Sequence, residues 1–418
     1  MEQNSTVQNL PEDNEHKSSR RVPFTIDHLR YVLDSSTDIF VKLNVITGNI
    51  DVIGNLALGG ENLTVPPSKK FDTLVTLLHS ECRGLFTGCN ENTIRRYLEV
   101  IATDKRYNPI WQKITNCKWD YIDRLGVLFD ILNINGDELS CTLVKKWLHQ
   151  GICLLNNDEA RPIGADGILV LCGAQGMGKT SFFRKIAIRP EWFGEGLTIN
   201  QYDKDTTRRV VTRWVSELGE VESTLKGDIA SLKAFITSPV DIYRLPYAQS
   251  DTNNVRRTNL CATCNTVDFL VDQTGNRRFW TVPVGEINLE TLDKLDPLQL
   301  WAQIYYECAG DLQGFRLTRQ ERDMLEERNG AHQKELPYED EILDILAEGE
   351  EHPERWQYTT ITNFKDCYPS LRNCSAARIS KVLQKIGIDQ KRKRVDGKSN
   401  ADRVYRLPIK SPYAFAGG

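Results

Sequence analysis

The run Gly173-Ala174-Gln175-Gly176-Met177-Gly178-Lys179-Thr180 decides how this chain folds. It fits the pattern G-x-x-x-x-G-K-[ST] at every fixed position. Ile168 to Cys172, just before it, is a continuous apolar run, as a parallel strand buried on both faces requires. Ser181 to Ile186, just after it, is compatible with a helix. A loop that wraps closely round phosphate oxygens needs glycine where backbone N–H groups face the ligand, which accounts for Gly176 and Gly178. The helix start adds free N–H donors and the positive end of a dipole. ATP is therefore expected to contact Gly173, Ala174, Gln175, Gly176, Met177, Gly178, Lys179, Thr180 and Ser181. Lys179 is expected to reach the β- and γ-phosphates, and Thr180 to ligate Mg²⁺.

Phosphoryl transfer also needs an acid at the tip of a neighbouring strand, to hold the metal and orient water. Trp214 to Glu220 offers one: Glu217 ends an apolar strand, with Glu220 just beyond it. The expectation is Glu217 in the metal shell and Glu220 activating water. A second strand, Leu260 to Thr263, leads into Asn265, whose amide suits a γ-phosphate or the attacking water. Asn276-Arg277-Arg278 precedes a third apolar run ending at Val282. Two adjacent arginines on a turn suit an anion, in the same subunit or a neighbouring one.

Composition sets the frame. The chain has 418 residues, 40% hydrophobic and 26% charged, with a formal net charge of −4. The mean charge gives no pull towards nucleic acid, so any DNA contact must come from local basic patches. No apolar stretch is long enough to span a membrane. Met1 to Arg21 is polar, unlike a signal or transit peptide, so the expected location is the cytoplasm of the cell or of an infected host. The 11 cysteines read mostly as small buried hydrophobes. Cys261 and Cys264 form a CxxC without the second pair that a zinc site needs.

The expected organisation is a disordered tail (1–22), a mixed or mainly helical accessory domain (23–155), the nucleotide-binding domain (156–330), a linker (331–338), a C-terminal domain (339–408) and a short tail (409–418). The C-terminal region resembles a winged-helix module. Ile379, Val382, Leu383 and Ile386 make one apolar face of a helix, with Arg378, Lys381 and Lys385 off that face. Lys391-Arg392-Lys393-Arg394 follows in a hairpin closed by Asp396-Gly397, as a basic wing would be. A recognition helix with a basic flank suits groove and phosphate contacts together. Elsewhere Arg208, Arg209 and Arg213 cluster before the acidic strand, and Arg244, Arg256 and Arg257 surround a loop rich in Asn and Thr. These suit backbone phosphates, and Tyr243 and Tyr247 suit base stacking or packing at a hairpin base.

Several separate motifs, in order, resemble the virulence-associated E family, which groups with superfamily-3 helicases and related AAA+ proteins. They run from Trp119-Asp120 and Tyr121 to Leu128, through Trp147, the glycine-rich loop and Asp203-Lys204-Asp205, to Trp214–Glu220. They continue through Leu232 to Phe235, Tyr243-Arg244, Thr263 to Asn265, Thr274 to Trp280 and Trp301-Ala302. The resemblance implies an α/β, P-loop AAA+ core with a parallel sheet and helical lid. It implies Glu217 as the Walker B acid, Asn265 as sensor 1 and Arg277 or Arg278 as arginine finger. It also implies a DNA-contacting β-hairpin within Leu232 to Tyr247, with Lys233, Arg244 and Tyr247 among its contacts. Two departures are Ser216, where the pattern prefers a bulky apolar residue, and Glu220, which is not adjacent to Glu217. No primase motif is evident in residues 1–150.

The expected function is an ATP-dependent DNA helicase or replication initiator of a phage or mobile element. It would use ATP and Mg²⁺ in a hexameric ring on single-stranded or forked DNA, with an origin duplex and a primase or polymerase as further partners. The alternatives are an origin-binding or DNA-remodelling ATPase without unwinding, and a defence or signalling NTPase.

Overall fold

The computed structural model describes residues 21–35, 39–58, 61–199, 203–219, 229–244, 250–265, 276–308, 310–311, 313–331, 338–393 and 402–409. The first unit carries α1 (Ile26–Ser35), β1 (Phe40–Asn44), β2 (Ile50–Ile53), α2 (Lys70–Cys82), α3 (Glu91–Asp104) and β3 (Arg106–Tyr107). β2 runs antiparallel and β3 parallel to β1. Val22 and Pro23 pair in parallel with Phe86 and Thr87. Leu29, Val75, Ile94 and Leu98 centre a separate apolar cluster that ends at Ala102.

Helices α4 (Arg124–Leu132) and α5 (Glu138–Leu155) follow. Asp123 caps α4 by accepting from the N–H groups of Leu125 and Gly126, and Asn133 closes it at φ +57°. Both helices pack into the cluster of the central sheet, not that of the first unit. Trp147 Nε1 donates to the Leu260 carbonyl (2.8 Å), and Gln150 Nε2 donates to Asn259 Oδ1 (2.9 Å). A completed buried network of this kind fixes α5 against the sheet in one register.

The central sheet comprises β4 (Ile168–Cys172), β5 (Phe193–Leu197), β6 (Val215–Leu218), β9 (Asn259–Cys264) and β10 (Phe279–Pro283). Its spatial order is β10-β4-β9-β6-β5, parallel throughout. Alternation along β4 serves both faces: Leu169 and Leu171 join one apolar cluster, and Ile168, Val170 and Cys172 the other. α6 (Lys179–Ile186) follows the glycine-rich loop and buries Phe182, Phe183 and Ile186. α7 (Lys204–Val211) and α8 (Ile229–Thr237) supply the opposite layer through Val210, Leu232 and Ile236. The architecture is thus α/β, a parallel sheet flanked by helices, consistent with an AAA+-like fold.

Two expectations change. The segment Leu232 to Tyr247, expected as a hairpin, begins inside helix α8, and the hairpin proper is β7 (Val240–Tyr243) against β8 (Thr252–Val255). β6 does not adjoin β4, because β9 lies between them. Cys261 and Cys264, three residues apart on β9, belong to clusters on opposite faces and cannot share a metal.

After the sheet come α9 (Leu289–Lys294), α10 (Pro297–Glu307) and α11 (Arg319–Ala331). Arg328 of α11 makes a two-pronged pair with Asp137, the cap of α5 (2.6 and 2.8 Å). The C-terminal unit runs α12 (Glu339–Glu350), β11 (Trp356–Thr359), α13 (Ile361–Cys367), α14 (Ala376–Lys385), β12 (Lys391–Lys393) and β13 (Asp402–Pro408). Its strands pair antiparallel in the order β11-β13-β12. As the spacing predicts, Ile379, Val382 and Leu383 are fully buried, while Arg378 and Lys381 are exposed. Among the described residues no helix is long and apolar enough to cross a membrane.

Candidate active site

The site lies at the carboxyl ends of β4, β9 and β6. The glycine-rich loop leaves β4 and is tied on two sides: Gly173 N–H donates to the Cys264 carbonyl (3.2 Å), and Ile287 N–H donates to the Met177 carbonyl (3.1 Å). Gly176 and Gly178 adopt φ of +85° and +83°, the left-handed region that glycine enters without steric cost. At Gly178 space is short as well, since a Cβ there would stand 2.8 Å from Leu289 Cδ2. Gly178→Ala is expected to cost about 1–2 kcal/mol from the backbone alone, checked by urea unfolding. An unchanged unfolding midpoint would mean the loop has another conformation.

Lys179 opens α6 and is only 7% exposed. Its Nζ donates to the carbonyls of Gly173 (2.6 Å) and Ala174 (2.7 Å) and to Asn265 Oδ1 (3.4 Å). Thr180, next in the chain, donates from Oγ1 to Glu217 Oε1 (2.9 Å). Thr263 donates to the same carboxylate oxygen (2.8 Å). Lys179, Thr180, Glu217, Thr263 and Asn265 therefore converge, from a helix start and two strand ends. Thr263 does not stand out in the sequence, because a strand threonine reads as β-propensity. Its signal was the period of two, which aligns it with Asn265. Ser216, the departure from the family pattern, is buried and donates to the Val210 carbonyl (2.6 Å), tying the end of α7 to β6.

Glu217 is 3% exposed. Burial pushes its carboxyl above the ordinary range, the hydrogen bonds from Thr263 and Thr180 pull it partly back, and the nearby Glu195 charge raises it again. The sign follows directly. A carboxyl with a raised folded pKa binds its proton more readily in the folded state. Its ionised form therefore costs stability above that pKa, and the cost disappears as pH falls through it towards the unfolded value. Glu217→Gln is expected to raise the thermal midpoint near neutral pH by about 1–3 °C, and the gain should vanish at about pH 4. A midpoint below wild type at pH 7 would contradict this account of the buried charge.

Arg277 and Arg278 sit elsewhere. They form a short 3-10 turn before β10, whose first residue, Phe279, pairs with Ile168, while Pro283 pairs with Cys172. The arginine turn is thus at the amino end of the sheet, about 13 Å along the strand from the glycine-rich loop. The structure therefore does not bring them to the cluster of their own chain, one of the two placements that the sequence leaves open. Asn329, 1% exposed, braces the turn by donating from Nδ2 to the carbonyls of Asn276 and Phe279 (3.0 Å each). Among the described residues Arg278 Nε is buried without a hydrogen-bond partner, and burial, with the neighbouring Arg277 charge, pulls its guanidinium pKa down. Glu220 lies outside the described residues.

The residues expected to meet DNA divide similarly. Lys233 is 7% exposed on α8, so its ammonium has little surface to offer a phosphate. Arg256 is 1% exposed and forms a two-pronged pair with Asp241 beneath the Phe235 ring, and Arg257 Nη2 donates to the Asn157 carbonyl (3.2 Å). Both hold the hairpin on the core. Tyr243 is buried and packs at the hairpin base. Arg244 is exposed at the end of β7. In the C-terminal unit Lys385 is paired with Glu339, Lys391 Nζ donates to the Tyr358 hydroxyl (3.1 Å), and Arg392 is exposed. Lys393 ends β12. Tyr247 and Arg394 lie outside the described residues.

The fold and this cluster define an α/β protein with a parallel, AAA+-like core. The virulence-associated protein E-like domain family matches residues 114–334, more than half of the chain, and the chain belongs to that family. Among solved structures, the apo structure of the NrS-1 C-terminal region (305–718) is similar at 11% identity and a TM-score of 0.47, over 91% of this chain and 98% of that one. A JCV helicase bound to a small-molecule acetamide is similar at 10% identity and a TM-score of 0.27, over 58% of this chain and 74% of that one. No curated protein matches the chain.

Proposed function

We propose that this chain is a ring-forming ATPase that moves on single-stranded or forked DNA, a helicase or replication initiator of a phage or mobile element. The observation that carries the reading is the convergence of Lys179 and Asn265 with the Thr180–Glu217–Thr263 group beside the glycine-rich turn. In this reading Gly173 through Ser181 cradle the triphosphate, and Lys179 leaves its loop carbonyls for the β- and γ-phosphates. Asn265 fixes the γ-phosphate or the attacking water, and Glu220 is the candidate to activate that water. Thr180 and Glu217 would hold Mg²⁺. Their hydroxyl and carboxylate oxygens fit that hard cation, which is usually bound by one or two carboxylates plus substrate phosphates. Bound there, Mg²⁺ would offset charge on the transferring phosphoryl group.

DNA enters through two further proposals. The hairpin β7–β8 would carry Arg244 and Tyr247 towards a central channel. The C-terminal unit would act as a winged helix, with Arg378 and Lys381 on the recognition helix and Lys391, Arg392, Lys393 and Arg394 in the wing. Lys385 would contribute only after leaving Glu339. A hexameric ring, a primase or polymerase partner and a cytoplasmic location complete the reading. Its test is strand separation on a forked duplex with ATP or a non-hydrolysable analogue. Separation only with ATP is expected. ATP turnover stimulated by DNA without separation would point to a remodeller, and turnover indifferent to DNA would remove the motor reading.

A further inference from the structure

A basic cleft of the described surface runs along the edge strand β5 and is lined by none of the Lys179–Glu217 cluster. It encloses about 720 Å³, within the roughly 300–1,000 Å³ of ligand-binding clefts. One wall is Arg208, Arg209 and Arg213, from the end of α7 and the start of β6. The facing wall is Thr47 and Asn49 of the first unit, in the β1–β2 turn.

Two carboxylates also line the cleft. Glu195 is ion-paired with Arg184, and Asp205 lies in the first turn of α7. Three guanidinium groups line the cleft against two carboxylates, one of which already has Arg184 as its ion-pair partner, in a chain whose formal net charge is −4. A local excess of guanidinium against the sign of the whole chain is the footprint of an anion site.

The Thr47–Asn49 wall is built. Buried Asn44 accepts at Oδ1 from the N–H groups of Ile46 (3.0 Å) and Thr47 (3.4 Å) and donates to Asp51 (2.9 Å). Gly48 takes φ +70°, and Ile46 is anchored in the central apolar cluster. The turn is held rigidly over the arginines while Asn49 stays exposed. On the core side α7 abuts the β7 strand of the hairpin, which places the arginines beside the element proposed to meet DNA.

We propose that this cleft binds the phosphodiester backbone of a single nucleic-acid strand, with the first unit closing over it as a clamp. The proposal rests on the DNA reading above. It gives the first unit a role, which no sequence motif does. A concave slot at a sheet edge admits one strand between its walls, whereas a duplex presents its phosphates on a convex surface.

The test is fluorescence anisotropy of the full chain with a labelled oligothymidylate at several salt concentrations. Arg209→Ala and Asn49→Asp should each weaken binding roughly three- to tenfold, and Arg209→Ala should flatten the log–log salt slope by about 0.7, one single-strand phosphate. Arg209→Lys should keep most of the slope. Asn49→Asp removes no cation and sits on an exposed turn, so it serves if the arginine variants fail to fold. If wild type binds the oligonucleotide and no variant changes affinity or slope, the cleft proposal falls and the DNA reading stands. Wild type that binds no oligonucleotide overturns both. Pyrophosphate binding that the variants lose, with oligonucleotide binding unchanged, would make this a free-phosphate site and overturn the clamp.

Discussion

Lys179→Ala is expected to lower ATP turnover by about a hundredfold or more, the scale seen when one preorganised charge is removed from a transferring group. The ammonium is nearly buried and is positioned by two loop carbonyls and Asn265. It is therefore preorganised next to the place where phosphate charge would develop. The alanine variant should still fold, because α6 is anchored by Phe182, Phe183 and Ile186, none of which touches the ammonium's role. Two carbonyls would lose a donor but keep access to water at the loop mouth. Phosphate release and a melting curve on the same sample decide the matter. Wild-type turnover with an unchanged melt would mean that the glycine-rich turn is not the nucleotide site. Lost turnover together with a collapsed melt would instead show that the lysine holds the loop, and Lys179→Met would then be the cleaner variant.

How much of this was readable beforehand follows the range of the interactions. β4 was placed to the residue because a strand buried on both faces leaves an unbroken apolar run, Ile168 to Cys172. The turn after it was readable because the loop demands glycine at particular points, and φ is positive at two of them. β5 was missed: two glycines in five residues hide its strand character, and its pairing with β6 comes from elsewhere in the chain. The family resemblance points Lys233 towards DNA, whereas the local periodicity puts it on a helix. Leu232 and Ile236, four apart and both buried, mark a helix face. The arginines at 256 and 257 read as surface cations until the fold brought Asp241 and the Asn157 carbonyl against them. No local pattern announces a partner that lies so far along the chain. Convergence of Lys179, Glu217, Thr263 and Asn265 was expected for three of the four, and the intervening β9 explains how. By separating β4 from β6, it brings Thr263 against the Glu217 carboxylate and Asn265 within reach of Lys179.

The arginine turn carries the second large effect. Arg277→Ala is expected to lower turnover about a thousandfold or more, as removal of an arginine finger does, although Arg277 lies at the far end of the sheet from the loop of its own chain. Arg277 is exposed, and Asn329 and Trp280, the latter donating to the Arg277 carbonyl (3.2 Å), hold the turn that presents it. An exposed guanidinium on a braced turn, remote from the only loop in the described chain built for phosphate, can serve that chemistry only from another copy. Head-to-tail contact of the two surfaces generates a ring when the rotation closes. The consequence is complementation. Lys179→Ala subunits keep an intact arginine turn, and Arg277→Ala subunits keep an intact loop. Random mixing in equal amounts should place a good loop against a good arginine at about a quarter of the contacts of a head-to-tail ring, so the mixture should recover activity that neither variant has alone. A mixture that co-assembles and stays inactive would remove Arg277 from the reaction. Recovery with Arg278→Ala in place of Arg277→Ala, and none with Arg277→Ala, would transfer the role to the neighbouring residue, whose buried Nε would then have to rotate into the contact.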